Sequence, residues 1–135
     1  MPDFKPELSN RNQYWIPKHR YYELKHYCLQ YPEWKRIYNS LGLKAIEQHE
    51  IKGSDISKPT EREALIRYEC LKGIELVEQC AKEAWPELYY NLLLGVTEGR
   101  PYDVLRASLD LPCSRDDYYN HYRKFFYILS QRRGL

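Results

Sequence analysis

The stretch SRDDYYNHYRKFFYIL, Ser114–Leu129, decides how the chain is read, because six of the ten residues from Tyr118 to Tyr127 are aromatic and the basic pair Arg123-Lys124 sits among them. That much ring surface in three turns either walls a small core or faces something flat and negatively charged. At 100° per residue, Tyr118, Tyr122, Phe125 and Leu129 fall in one narrow arc with Phe126 at its edge, while Asp116, Tyr119, Asn120, Arg123, Lys124 and Tyr127 lie on the other side. The first set predicts a buried stripe, and the second predicts an outward face carrying Tyr119 and Tyr127 among polar and basic groups. Ser114 is placed to cap this helix by accepting from the amide near Asp117. Asp116 and Asp117 suit the positive end of the helix dipole, and adjacent positions diverge on a helix, so they do not form a metal-binding pair.

Upstream, Pro86 opens a helix carrying Leu88, Leu92 and Val96, and Gly99 stops it. Pro101 starts a short helix to about Leu109, and Leu111 plugs the corner before Ser114. A short helix meeting a longer one across a tight turn, covered by the helix before them, is the layout of a helix-turn-helix, whose second helix enters the major groove with its N-terminal turns. On that reading Arg115 and Arg123 reach guanine edges or phosphates, Asn120 bonds adenine bidentately, and Tyr119 meets phosphate or a thymine methyl. Arg100 and Lys124, with Arg132 and Arg133, suit the backbone, and Ser114 belongs to the same contact set. The competing reading is plain: many helical bundles contain such pairs and touch no nucleic acid.

The remainder reads as helices. Residues 1–13 form an arm with two prolines and little periodicity. From Pro17, Tyr21, Leu24, Cys28 and Leu29 recur at helical spacing. Pro32 starts a second helix with Trp34, Ile37, Tyr38 and Leu41 inward, ended or bent at Gly42. Residues 42–59 allow a short helix before a loop around Gly53-Ser54-Asp55. Thr60 caps a third helix with Glu63 as its reciprocal partner, running to about Ala84. Its stripe is Ile66, Cys70, Gly73, Val77, Cys80 and Ala84, broadened by Leu65, Tyr68 and Leu76. No segment shows strand alternation. The expectation is an all-α chain, a compact helical bundle forming one domain over 1–135, with the helix-turn-helix in 86–133.

Composition narrows the function. The 135 residues carry a net charge of only +2, but residues 100–135 hold seven basic and four acidic side chains against six and nine in 51–99. A basic end beside an acidic middle points to a polyanion partner. Cys28, Cys70, Cys80 and Cys113 show no C-x-x-C spacing and no accompanying histidine cluster, so neither a zinc site nor a disulfide framework is expected. The N-terminal residues lack a signal-peptide pattern, and no apolar run approaches bilayer length, so the expectation is a cytoplasmic protein with no membrane contact. No phosphate-cradling glycine loop, no nucleophile with a partnered base and no catalytic carboxylate pair is visible, and His19, His26, His49 and His121 stand in separate settings. No catalytic residue, metal or cofactor is expected.

The stretch LLLGVTEGRPYDVLRASLDLPCSRDDYYNHYRKFFYILSQRR resembles the C-terminal part of phage-encoded late-gene regulators of the ArpU and RinA kind, which in turn look like the promoter-binding region 4 of sigma factors. The resemblance is carried by Leu92 to Gly99, Pro101-Tyr102, the short helix Val104 to Leu109, and Ser114-Arg115 with Tyr118-Tyr119 through Phe126. Pro112-Cys113 makes the turn longer than in that family, and Leu105-Arg106 replaces the usual Ile-Ala pair. The resemblance implies a sequence-specific transcription regulator of phage or prophage late genes, and the regulator reading expects a monomer or homodimer on double-stranded DNA, with RNA polymerase or another phage protein as a further candidate partner. Two other readings compete. The Tyr/Trp-rich N-terminal part (Trp15, Tyr21, Tyr22, Tyr27, Tyr31, Trp34) suits a protein-interaction module, because aromatics dominate binding hot spots. A helical DNA-binding pair also suits a small terminase-like packaging accessory, which would form rings.

Overall fold

The computed structural model describes residues 12–50 and 60–134, the segment 44–50 by its backbone alone. Among the described residues there are six α-helices and no strand: α1 Lys18–Leu29, α2 Tyr31–Glu50, α3 Glu61–Ala84, α4 Tyr89–Glu98, α5 Tyr102–Leu109 and α6 Arg115–Arg132. The all-α expectation holds. Residues 1–11 of the expected arm, and the loop around Gly53, lie outside the described residues.

The helix boundaries follow local chemistry. Pro17 precedes α1 and its carbonyl accepts from the Tyr21 amide at 2.9 Å. Pro32 has no amide to donate back to Cys28, so the chain turns once at Gln30 and restarts as α2. Thr60 caps α3 by accepting from the Glu63 amide at 3.1 Å. Gly99 ends α4 in the left-handed region, φ 67°. Ser114 caps α6 by accepting from the Asp117 amide at 3.1 Å. Gly42 neither ends nor bends α2 out of helix, which continues to Glu50. One interior glycine costs about 1 kcal/mol, too little to stop a helix whose next residues, Leu43, Lys44 and Ala45, favour it.

α3 and α6 are the spine. α2 lies along α3, α4 and α6 pack on it, and α1 closes over α4 and α6, while α4, α5 and α6 each touch the other two. α6 presents Tyr118, Phe125 and Leu129 at 0% exposure and Phe126 at 1%, the stripe its period predicts. Phe126 meets Tyr21 edge-on, centroids 5.2 Å apart, and Tyr21 and Tyr122 share a hydrogen bond between hydroxyls of 2.8 Å. The N-terminal aromatics also turn inward. Tyr21 and Tyr31 are buried, Trp34 packs against Gly73, Tyr27 stacks edge-on with Trp34 at 4.9 Å, and Tyr31 donates to Glu78 at 2.5 Å.

In α3 the stripe Cys70, Gly73, Val77, Cys80 and Ala84 is buried, but the expected burial of Ile66, Leu65 and Tyr68 fails: they are 39%, 58% and 56% exposed. Apolar character alone does not supply neighbours, and among the described residues the groove beside this half of α3 is walled by α2 and α3.

α4 and α6 approach closely at one point. A Cβ on Gly95 would fall 2.0 Å from the Tyr118 hydroxyl and 3.2 Å from Leu105 Cδ1. That hydroxyl is buried with no hydrogen-bond partner among the described residues, and burial raises the phenol's pKa well above its ordinary value. Gly95→Ala should therefore destabilise the fold by about 1–3 kcal/mol. Tyr118→Phe, which removes an unpaired buried hydroxyl, should leave stability unchanged or raise it by about 1 kcal/mol and should reduce the cost of the alanine. Urea unfolding of the four-member cycle measures both; additive effects would contradict the contact.

Candidate nucleic-acid interface

α5 and the first turns of α6 form a corner. Asp110 ends α5 in the left-handed region (φ 51°), its amide donating to the Arg106 carbonyl at 3.0 Å. Leu111, 4% exposed, fills the angle as its sequence position predicts. The Tyr102 hydroxyl donates to the Cys113 carbonyl, pinning the far side of the turn to the start of α5. The chain between the helices is thus held at Leu111 and at Cys113, and the direction in which α6 sets out is fixed before its first residue.

The seven residues expected at the interface do not share one environment. Arg115 and Asn120 are exposed on the first two turns of α6, about 140° apart around the helix, with Arg115 on the flank toward α5 and Asp116 beside Asn120. Ser114 is exposed but engaged as the cap. Arg115 lies 3.7 Å from Asp103 of α5 and over the Tyr119 ring at 5.4 Å. Arg123 and Lys124 are half-buried. Burial lowers the Arg123 pKa, and the nearby Asp116 carboxylate works against that shift. Arg100, half-buried at the α4–α5 junction, pairs with Glu98 at 3.2 Å.

Tyr119 departs from the outward placement that the helical wheel suggests. It is 8% exposed, and its hydroxyl accepts from the Tyr102 amide at 3.3 Å. Pro101, at the N-cap of α5, has no side chain able to accept that amide's hydrogen, and α5 lies on the flank of α6 where Tyr119 projects. Tyr127 is also withdrawn: Tyr14 covers it at 5.8 Å between centroids, from a turn in which the Asn12 side chain accepts from the Tyr14 amide at 2.8 Å. Tyr14, just after the expected arm, therefore lies against the second half of α6. Arg132 pairs with Glu83, and Arg133 lies 3.7 Å from Glu23 and 4.0 Å over the Tyr27 ring, so both hold α6 to its neighbours.

Charge along the corner segment is matched in number: Arg100, Arg106, Arg115, Arg123 and Lys124 against Glu98, Asp103, Asp110, Asp116 and Asp117, with Lys25 of α1 adding a positive charge beside Arg100. His121 is a packing residue, stacked on Trp85 at 4.0 Å with Nδ1 2.8 Å from the Asp117 carbonyl oxygen. Burial raises the Cys28 thiol far above its ordinary value and Cys80 to about 11, so both stay protonated at neutral pH. No group of three or more metal-ligating side chains occurs among the described residues, and no described helix is long and apolar enough to cross a membrane.

Sequence reasoning missed two features. A cleft of about 110 Å³ brings Lys25 of α1 beside Arg100 and Pro101, joined by Tyr21, Tyr119 and Tyr122. Nothing near Lys25 in the chain marks it, since only the packing of α1 onto α4 carries it there. A groove of about 250 Å³ runs between α2 and the first half of α3, lined by Tyr38, Leu41, Ala64, Arg67, Tyr68 and Leu71 with Glu63. Its signal was present as the excess width of the α3 stripe.

No protein-family model, no curated protein and no solved structure matches the chain.

Tyr119→Phe removes the acceptor for the first amide of α5 and should cost about 1 kcal/mol in chemical denaturation. It should also speed amide exchange at Tyr102. Unchanged exchange there would mean that the hydroxyl does not hold α5.

Proposed function

We propose that the chain binds double-stranded DNA through α5 and the first turns of α6, used as a helix-turn-helix, and acts as a sequence-specific transcriptional regulator of the phage type its C-terminal part resembles. One observation carries the reading: Arg115 and Asn120 stand exposed on the first two turns of α6, Asn120 opposite the buried stripe and Arg115 at the helix start on the flank toward α5. A guanidinium and a carboxamide on one accessible helix start are the groups that read guanine and adenine edges in a major groove. Arg123 and Lys124, one turn further, follow the groove wall, and Arg100 lies at the start of α5 where a phosphate passes in this docking mode. The buried Tyr119 serves by orienting α5 rather than by touching the duplex.

The balanced charge sets the character of the binding. Lys and Arg contacts to phosphate release counterions and give nonspecific affinity, and five carboxylates around the corner oppose that term. Discrimination then rests on base contacts, with weak attraction to arbitrary sequence. The Arg115–Asp103 pair is a switchable element, since the guanidinium exchanges this carboxylate for a base edge when DNA arrives.

The test is selection of bound duplexes from a random pool, followed by anisotropy titration of the enriched site. Arg115→Ala and Asn120→Ala should each weaken cognate binding by about 1–3 kcal/mol and relax preference at one base position. Asp103→Asn should tighten binding to every duplex and steepen its salt dependence, because it removes a competing carboxylate. Failure to enrich any sequence, or full cognate affinity in both alanine variants, would overturn the proposal.

A further inference from the structure

The outward side of α3's first half carries a pattern that the described residues leave exposed. Leu65 is 58% exposed and Tyr68 56% exposed, and Glu61 and Lys72 are exposed on the same side. At 100° per residue these four lie within an arc of about 60°, in the order Glu61, Leu65, Tyr68, Lys72 over about 16 Å of helix. Lys72 reaches back over the Tyr68 ring, its ammonium 5.4 Å from the ring centroid.

The order is symmetric in chemistry about its midpoint. Turning a second copy of α3 antiparallel, with the two-fold axis passing between positions 66 and 67, brings Leu65 opposite the other copy's Tyr68, and Tyr68 opposite its Leu65. The same rotation brings Glu61 opposite Lys72 and Lys72 opposite Glu61. Both apolar pairs and both ion pairs are thus satisfied by one operation, which is what an isologous contact requires. A parallel arrangement would instead set Glu61 on Glu61 and Lys72 on Lys72. The groove on the α2 side borders Tyr68 and Ala64, and a helix lying on the stripe at a spacing of about 8–10 Å covers its rim. The wall of that groove is stiffened by Arg67, which lies over the Tyr38 ring at 4.0 Å and donates to the Tyr38 carbonyl at 3.3 Å.

We propose that the chain forms a two-fold dimer in which the first half of α3 packs antiparallel on the same segment of a second copy, with Leu65 against Tyr68 and Glu61 against Lys72 across the axis. The dimer is independent of the DNA reading, and its test uses no nucleic acid.

Sedimentation of the full chain should show a concentration-dependent monomer–dimer equilibrium. Leu65→Asp should leave only monomer while keeping the helical circular dichroism of the parent. Glu61→Lys alone and Lys72→Glu alone should each weaken association at least about tenfold, since each places like charges opposite one another twice. Mixing the two single variants should restore it as a heterodimer, because lysines at 61 and 72 in one chain then meet glutamates at 72 and 61 in the other. The doubly exchanged chain, Glu61→Lys with Lys72→Glu, should likewise self-associate, although its two exchanged residues are too far apart to pair within one helix. A monomer at every attainable concentration, a dimer indifferent to Leu65→Asp, or a mixture no more associated than its components would each overturn the proposal.

Discussion

Tyr118 meets the α4 backbone at Gly95, with its hydroxyl in the space that any larger residue's Cβ would occupy, and the course of α6 depends on that contact. The ring is fully buried, and Tyr102, Tyr119, Tyr122 and Trp85 lie around it at centroid distances of 5.0–6.3 Å. An aromatic held on so many sides fixes both the depth of α6 and its rotation. Once rotation is fixed, the side chains 180° away have no freedom over where they point. Asp116 and Asn120 face out because Tyr118, Phe125 and Leu129 face in. The unpaired hydroxyl is a cost accepted at this position, and the same close approach gives the corner its rigidity.

One helix is held differently along its two halves. The second half is an internal spine, tied to α3 through Glu83 and to α1 through Glu23 and Tyr27, with Tyr14 lying over Tyr127. The first half is held only from below and from the α5 side. Its outward groups are the part of α6 that the proposed DNA reading uses, and the half-buried Arg123 lies where the two halves meet. The acids around the corner offset its basic groups. The basic excess of residues 100–135 overstates the positive field there, because Arg132 and Arg133 are engaged elsewhere.

Much of this was legible from local pattern. The caps at Thr60 and Ser114, the stop at Gly99, the corner at Leu111 and the α6 stripe are set by residues within one or two turns of each other, and period or capping chemistry determines them. What escaped depends on partners distant in the chain. Tyr119 sits on a flank of the wheel, and only the placement of α5 turns that flank inward. Tyr127 is covered by a residue more than a hundred positions away. Leu65, Ile66 and Tyr68 have the composition of a core stripe, yet among the described residues no element is packed over them. Period tells which residues share a side, whereas the number of neighbours on that side is a property of the assembled fold.

Amide shift mapping during titration with an enriched duplex tests most directly whether the first half of α6, and not the rest of the molecule, meets DNA. Perturbations should concentrate at residues 100–106 and 114–124 and be absent from 61–72 and from 128–133. Perturbations centred on α2 and α3, or none at Arg115 and Asn120 with the duplex in excess, would contradict that placement.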